Sequence, residues 1–215
     1  MELSNQIRLK TQHGDMLVRY IGFARDTAPS TSSSAREALI ITATENPNSP
    51  ALVRVQSSCV FGEVFHSTQC DCGEQTQAAL EQVIRENGIL IYTMEEGRGA
   101  GLRNKVESIF IEQSSGKNSK EAYRALGLPV DLRDYALASE AIKLVLGLNP
   151  KIILMTNNPD KVRKIEKAGI EIVAVKSALP KAVDKAALSE LVYKRDELGY
   201  DIPKFIHTKV AHAHG

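Results

Sequence analysis

Three cysteines, which are all the chain of 215 residues contains, fall close together at Cys59, Cys70 and Cys72. An odd number of thiols cannot all pair as intramolecular disulfides, so the cluster favours either metal binding or three unrelated buried thiols. Three thiolates can fill three corners of a tetrahedral zinc site and leave the fourth for water, as in catalytic zinc centres. The backbone must then turn sharply around one ion, and Asp71 and Gly73 are residues that turns accept.

Histidines near the cysteines and at the C-terminus are further metal-ligand candidates. His66 lies between the cysteines, and as a fourth ligand it would close the site and make it structural. The segment 207–215 carries three histidines, but a solvated chain end is its expected state, and we assign it no role. The cysteine cluster therefore predicts a zinc site that is open and catalytic, with a closed structural site as the alternative.

The composition favours one soluble α/β domain over residues 1–215. A net charge of +1 gives no basic stripe, so we expect no nucleic-acid partner. The N-terminal segment lacks the basic and apolar regions of a signal peptide, and no apolar run is long enough to span a bilayer. We expect no membrane partner and a cytoplasmic location, where free thiols stay reduced.

Hydrophobic patterning changes character near Glu74. Before it, short or alternating apolar runs predict four strands, at 6–11, 16–23, 38–43 and 51–56. A polar run at 29–34 predicts a loop between two of them. From Glu74 onward, predicted helices and strands alternate: a helix over 74–87, strands at 89–92, 151–156 and 170–175, and helices from Asp160 and over 188–198. The pattern predicts an α/β (α+β-like) fold whose mixed sheet has a β-rich N-terminal part and flanking helices.

A glycine-rich segment with cationic neighbours follows the predicted strand at 89–92. Three glycines within 97–101 allow the backbone to approach a ligand closely, and the next helix offers unpaired amides at its start. Arg98, Arg103 and Lys105 supply cationic donors. The spacing matches neither a P-loop nor a dinucleotide fingerprint. The segment is a phosphate-loop or nucleotide-loop candidate, and a plain strand-to-helix turn explains it about as well.

Two more polar segments lie where ligands commonly bind. Asp131 and Arg133 stand two residues apart just before a predicted helix, although Asp131 and Asp134 also suit simple helix caps. The segment 156–161 follows the carboxyl end of a predicted strand, where open α/β sheets bind ligands. An ordinary capped loop is the alternative there.

Five segments together resemble, in order and spacing, those of the GTP cyclohydrolase II family: Arg54-Val-Gln-Ser-Ser-Cys59, Gln69-Cys-Asp-Cys-Gly73, Glu95-Glu-Gly-Arg98, Asp131-Leu-Arg-Asp134 and Thr156-Asn-Asn-Pro159. The resemblance runs from about Arg54 to Gly169, with weaker likeness at both ends, where Lys194 resembles part of the family's closing helix. It implies hydrolytic opening of the imidazole ring of GTP with release of formate and pyrophosphate, as in riboflavin biosynthesis. It also implies a homodimer.

The resemblance assigns roles by position. Cys59, Cys70 and Cys72 match the zinc ligands, and Asp131 matches the proton acceptor. Arg133 matches the residue proposed as nucleophile, but an always-protonated guanidinium is better suited to stabilising phosphoryl charge. Further positions match substrate contacts, at Arg54, Gln75, Glu96, Gly97, Arg98, Ser119, Thr156 and Lys161.

The chemistry of these side chains suits the parts of the nucleotide. A carboxylate such as Glu96 suits the guanine N1–H and 2-amino donors, whereas Arg54, Arg98 and Lys161 suit phosphates. The family also uses Mg²⁺ on the triphosphate, and an ion held by phosphate and water needs no separate protein motif.

Three positions depart from the family pattern. Ile109 stands where the family commonly has a tyrosine implicated in completing the reaction, and Gln56 and Ser58 stand where it has a histidine and a glutamate. One alternative is therefore an enzyme that stops at the formamidopyrimidine or uses a modified guanine nucleotide. Another is a catalytically inactive zinc- and nucleotide-binding regulator, although the presence of Asp131 and Arg133 favours an enzyme.

Overall fold

A computed structural model describes residues 1–23, 35–179 and 182–208. The predicted loop at 29–34 and the histidines at 212 and 214 lie outside these residues. The described part of the chain forms one mixed eight-stranded sheet with seven α-helices, which confirms the α/β prediction.

The strands are β1 (Glu2–Leu3), β2 (Ile7–Thr11), β3 (Gly14–Gly22), β4 (Glu37–Thr42), β5 (Ala51–Ser57), β6 (Ile89–Thr93), β7 (Lys151–Met155) and β8 (Glu171–Lys176). The helices are α1 (Val60–Glu63), α2 (Cys72–Arg85), α3 (Gly101–Ser115), α4 (Ser119–Ala125), α5 (Ala136–Leu146), α6 (Pro159–Lys167) and α7 (Lys185–Leu198). All seven predicted strands and all three predicted helix ranges are confirmed to within a few residues. The short elements β1, α1 and α4 are not predicted, because so few residues carry no readable hydrophobic period.

The sheet joins an antiparallel half to a parallel half. The strand order is β1-β3-β4-β6-β5-β7-β8, with β2 also paired to β3. Strand β3 pairs antiparallel with β1, β2 and β4, and β4 pairs antiparallel with β6; of these pairs, β2 and β3 are joined by a tight turn. Strands β6, β5, β7 and β8 pair parallel, with helices in the crossovers. The change of period near Glu74 thus marks the first crossover helix, α2.

Helices cover both faces of the parallel half. On one face, Ala79 and Val83 of α2 pack against Leu52 and Leu90. On the other face, α5 and α6 pack against the residues of β5, β6 and β7 that point the opposite way. Burial on both faces explains why the sequences of β5, β6 and β7 are nearly continuous apolar runs. Arg54 interrupts the run in β5, although its side chain is also buried.

The carboxyl ends of β5, β6 and β7 meet at one edge of the sheet. Chain segments beginning at Ser58, Met94 and Thr156 leave the sheet there, which is where open α/β sheets bind ligands. The last of these segments leads into α6, where Asn158 Oδ1 accepts the N–H of Asp160 at 2.9 Å and Pro159 takes the first helical position. None of the helices in the described ranges has the length and apolar character that a bilayer crossing requires.

Candidate active site

The three cysteine sulfurs converge at this edge. Cys59 follows β5, Cys72 opens α2, and Cys70 lies in the connection between them. The three Sγ atoms lie within 4.8 Å of one another, and those of Cys59 and Cys70 are 3.8 Å apart. A tetrahedron with zinc–sulfur bonds of about 2.3 Å has sulfur–sulfur edges of about 3.8 Å, so the spacing fits such an ion. His66 is exposed and does not belong to the group.

Two glycines let the backbone bring the sulfurs together. A Cβ atom on Gly62 would lie 2.9 Å from the sulfur of Cys70, and a Cβ atom on Gly73 would lie 2.5 Å from the carbonyl oxygen of Gly62. At this point helix α1 therefore packs against the start of α2 backbone to backbone. A side chain at either position would push the cysteine segments apart.

Contacts among the three thiols shift their pKa values in opposite directions. Hydrogen bonds from Cys70 and Cys72 lower the pKa of Cys59. The contact with Cys59 in turn raises the pKa of Cys70 to about 11 and raises that of Cys72 well above its ordinary value. The ammonium of Lys105, 3.1 Å from the Cys59 sulfur, adds a favourable charge beside the thiolate. Because a dication replaces thiol protons, metal binding here would release protons.

Glu63 ties the cysteine segment to the rest of the fold. Its Oε2 accepts the backbone N–H of Cys59 at 3.1 Å and the hydroxyl of Tyr92. Its Oε1 accepts the hydroxyl of Thr76 at 2.5 Å and the amide of Gln56 at 3.2 Å. Four donors from four parts of the chain thus fix one carboxylate directly behind the first cysteine. No sequence pattern singles out Glu63.

A cavity of about 590 Å³ opens beside the cysteines. It is lined by the three cysteines and by nearly all of the predicted site residues, namely Arg54, Gln75, Glu96, Gly97, Arg98, Ser119, Arg133, Thr156 and Lys161. Asp131 is the predicted residue that is not part of the lining. Segments far apart in the sequence are therefore brought to one cavity.

Asp131 and Arg133 form a closed pair at the cavity wall. Arg133 donates through Nε to Oδ1 of Asp131 at 2.9 Å and through Nη2 to Oδ2 at 2.5 Å. Burial acts to raise the pKa of Asp131, but the hydrogen bonds and charge of Arg133 outweigh it and hold that pKa below its ordinary value. Asp131 is thus not a helix cap, whereas Asp134 accepts the N–H of Ala136 at the start of α5.

Two more cations near this wall are deeply buried. Arg54 donates to the side chain of Gln75 at 2.8 Å and to the carbonyl of Met155 at 3.1 Å, and Lys161 donates to the carbonyl of Val55 at 2.7 Å. Burial lowers the pKa of both, and that of Lys161 falls well below its ordinary value. An anion in the cavity would offset this cost, so this end of the cavity suits a negatively charged ligand.

Glu96 lies between the glycine-rich turn and the cysteines. Its Oε1 accepts the ammonium of Lys105 at 2.6 Å, and its Oε2 accepts the N–H of Val60 at 2.8 Å. The same ammonium lies 4.7 Å from the ring centre of Phe61. Because carboxylate oxygens accept more than one hydrogen bond, these contacts hold Glu96 in place and leave it capable of accepting a further donor.

Helix α7 supplies part of the cavity wall. Arg98 donates to Glu190 at 2.6 Å, and its guanidinium lies between the rings of Tyr123 and Tyr193, at 5.8 and 5.6 Å from their centres. Burial acts to lower the pKa of Arg98, but the Glu190 carboxylate outweighs it and raises that pKa. Lys194 pairs with Asp71 at 3.3 Å, next to the cysteines. The pattern predicts this helix but not the contact of Glu190 with the site.

Position 109 contributes an apolar side chain to the cavity wall. Ile109 lines the cavity and offers no proton. Of the two tyrosines that the fold would have to bring in, Tyr123 lines the cavity and donates to the carbonyl of Gly97 at 2.9 Å. The hydroxyl of Tyr92 is held by Glu63. Both hydroxyls therefore already have protein acceptors.

A buried carboxylate stands among the cations. Glu95 is 5% exposed, lines the cavity, and lies two residues after β6. Its Oε1 has no hydrogen-bond partner in the described part of the chain. Burial raises the pKa of Glu95 to about 7. No sequence pattern gives this residue a role.

A cysteine cluster that could hold a metal ion, joined to buried cations at the carboxyl edge of a mixed sheet, suits a hydrolase that acts on an anionic substrate. Comparison with known proteins places the chain more narrowly. The model of the GTP cyclohydrolase II family matches residues 2–177, so the chain belongs to this family of hydrolases. Helix α7 lies beyond the matched range.

Individual relatives agree with this assignment. GTP cyclohydrolase-2 of Vibrio cholerae is 42% identical over 144 residues, which cover 67% of this chain and 71% of the relative. GTP cyclohydrolase-2 of Haemophilus influenzae strain PittGG is 39% identical over 174 residues, covering 80% and 76% of the two chains. The protein of that name from Aliivibrio fischeri strain ES114 is 36% identical over 178 residues, covering 82% and 79%.

Proposed function

We propose that the protein hydrolytically opens the imidazole ring of GTP, releasing pyrophosphate and formate and giving a pyrimidine ribosyl phosphate of the riboflavin-pathway type. The observation that carries the proposal is the single cavity that joins the cysteine cluster to the buried cations Arg54, Arg133 and Lys161. Membership of the GTP cyclohydrolase II family supplies the substrate class and the reaction.

Cys59, Cys70 and Cys72 would hold the zinc ion, since their spacing and softness as ligands fit it. When bound, zinc supplies a water activated for nucleophilic attack near neutral pH. Mg²⁺ would enter with the triphosphate, held by phosphate oxygens and water.

The nucleotide would lie across the cavity with its base near the cysteines. Glu96 would accept the guanine N1–H and 2-amino donors, and Gln75, Gly97, Ser119 and Thr156 would complete the polar wall. Arg54, Arg98 and Lys161 would bind phosphates. For Arg98 this requires the bond to Glu190 to open, so phosphate and the α7 carboxylate compete for one guanidinium.

Arg133 would stabilise phosphoryl charge where pyrophosphate leaves. Its two-point contact with Asp131 fixes the guanidinium plane, and burial strengthens its attraction for an anion. Asp131, which the resemblance matches to the proton acceptor, holds Arg133 from behind the cavity wall. From family membership we also propose that the protein is a homodimer in the cytoplasm. Light scattering on the purified protein tests the dimer.

One observation favours a variant of this reaction. Ile109 offers no proton, and the hydroxyls of Tyr92 and Tyr123 already have protein acceptors, which leaves Tyr193 and Tyr200 as the cavity-lining tyrosines that the complete reaction could use. The second candidate is therefore ring opening that stops at the formamidopyrimidine and retains the formyl group. A modified guanine nucleotide as substrate, or a zinc- and nucleotide-binding regulator without activity, are the further alternatives.

Mass spectrometry of the zinc-loaded protein incubated with GTP and Mg²⁺ separates these candidates, with formate and pyrophosphate measured in the same tubes. Equal release of formate and pyrophosphate supports the complete reaction. Pyrophosphate or ring opening without formate supports the variant. Unchanged GTP would refute both and direct attention to other nucleotides or to a binding role.

A further inference from the structure

The carboxyl group of Glu95 is buried at the cavity, and the roles assigned so far leave it without a function. It is almost fully buried, and Oε1 has no protein partner among the described residues, while Oε2 lies 3.4 Å from the hydroxyl of Thr93. A buried polar atom without a partner is costly in a folded protein. Because Glu95 lines the cavity, a bound ligand is the natural partner for that oxygen.

Glu95 lies between the cysteine end and the cationic end of the cavity. Its backbone N–H donates to the hydroxyl of Ser58 at 3.0 Å, and Ser58 adjoins the metal-site residue Cys59. Its side chain lies within electrostatic range of Arg133 and Lys161 at the cationic end. A nucleotide with its base at the cysteines and its phosphates on the cations would pass this carboxyl group.

Asp131 is less suited to exchanging a proton with a ligand. Both of its oxygens accept hydrogen bonds from Arg133, and it does not line the cavity. The pKa of Asp131 is held below its ordinary value, whereas that of Glu95 is raised to about 7 by burial and by the nearby carboxylates Asp134 and Asp131, against Arg133 and Lys161. A group that accepts and returns a proton works best with a pKa near the working pH.

We propose that Glu95 is a catalytic proton-exchange residue for imidazole ring opening, a role that rests on the proposed function. As a carboxylate it takes one proton from the water whose oxygen bonds to C8. It returns that proton to the ring nitrogen whose bond to C8 breaks. The second water proton ends on the other nitrogen bonded to C8, which becomes the formamide nitrogen, and Glu95 finishes as a carboxylate.

The test compares Glu95→Gln with Asp131→Asn in zinc-loaded protein. General acid–base groups contribute about 10²- to 10⁴-fold, so we expect kcat of Glu95→Gln to fall by about that factor. The dissociation constant for GTP and the zinc content should stay within threefold of wild type, because glutamine keeps the size and one acceptor. Glu140→Gln, at a surface carboxylate of α5 paired with Lys143, is the matched control and should keep full kcat.

Chemical rescue separates proton transfer from structural support. Glu95→Ala removes the carboxyl group and leaves room for a small acid, so added acetate should restore kcat in a concentration-dependent way. The same acetate should not restore Glu95→Gln, in which the amide fills the space.

Three results would overturn the proposal. The first is Glu95→Gln retaining kcat within fivefold while Asp131→Asn loses it. The second is a loss in Glu95→Gln that appears in GTP affinity or zinc content in place of kcat. The third is a wild-type protein that opens no imidazole ring. Of the three results, only this one would also overturn the proposed function.

Discussion

Replacing Glu63 by glutamine should weaken zinc binding, although the substitution changes none of the three cysteines that would bind the metal. Glutamine has the shape of glutamate but turns one acceptor oxygen into a donor NH₂ group. Whichever way the amide lies, that NH₂ faces two donors, either the Cys59 N–H with the Tyr92 hydroxyl or the Thr76 hydroxyl with the Gln56 amide.

The second orientation is the less costly one. Thr76 can redirect its hydroxyl to the Cys72 carbonyl at 3.0 Å and accept from the new amide. Gln56 cannot turn over freely, because its Oε1 accepts two hydrogen bonds from Arg54, at 2.6 and 3.0 Å. The charge-assisted hydrogen bond from the Gln56 amide is thus lost, and the Cys59 N–H then donates to a neutral oxygen in place of a carboxylate. Losses of this kind cost about 1.5–3 kcal/mol.

This energy corresponds to a weaker zinc affinity of about 10- to 100-fold, the range typical of groups that support metal ligands. The assay is competition for zinc with a chromophoric chelator, with Glu86→Gln on the surface as control, because Glu86 pairs only with residues remote from the cavity in the described structure. A zinc dissociation constant for Glu63→Gln within threefold of wild type would refute the idea that this carboxylate positions Cys59. So would an equal fall in the melting temperature of metal-free and zinc-loaded protein.

Three further outcomes are expected. Zinc affinity should rise with pH across the neutral and mildly alkaline range, because the pKa of Cys70 is raised to about 11 and the Cys70 thiol must lose its proton when zinc binds. Chelator competition at several pH values measures this affinity, and an affinity that does not change with pH would contradict the prediction. Glu190→Gln should strengthen GTP binding several-fold, as it frees Arg98 from a 2.6 Å ion pair, and unchanged affinity by calorimetry would argue against phosphate binding at Arg98. Ile142→Ala, in the fully buried face of α5, should lower the free energy of unfolding by about 2–5 kcal/mol in urea titrations, and a loss below 1 kcal/mol would contradict the packing described here.

Sequence patterns predicted the sheet well because each strand carries its own signal. Strands β5, β6 and β7 are mostly apolar on both faces, β8 is apolar between its charged end residues, and flanking turn residues mark where the strands end. The cysteine cluster was predictable for a similar reason, since three soft ligands so close in sequence have few other uses. Helix α1 escaped prediction because four residues make barely one turn.

Three carboxylates of the site, Glu63, Glu95 and Glu190, could not be predicted from the sequence. Glu63 matters through Tyr92 and Thr76, which lie 29 and 13 residues away along the chain. Glu95 matters because burial beside Arg133 and Lys161 changes its acidity, and nothing in a local pattern reports burial of one side chain. Likewise Glu190 reaches Arg98 across 92 residues, a contact that only the packing of α7 against the cavity creates.

The backbone contact between Gly62 and Gly73 bears on which positions of the chain can vary. A Cβ atom at position 73 would lie 2.5 Å from the carbonyl oxygen of Gly62, and one at position 62 would lie 2.9 Å from the Cys70 sulfur. No larger residue fits at either place unless the cysteine segments move. The sulfur spacing thus depends on two residues that have no side chain, and these two positions are constrained as tightly as the cysteines themselves.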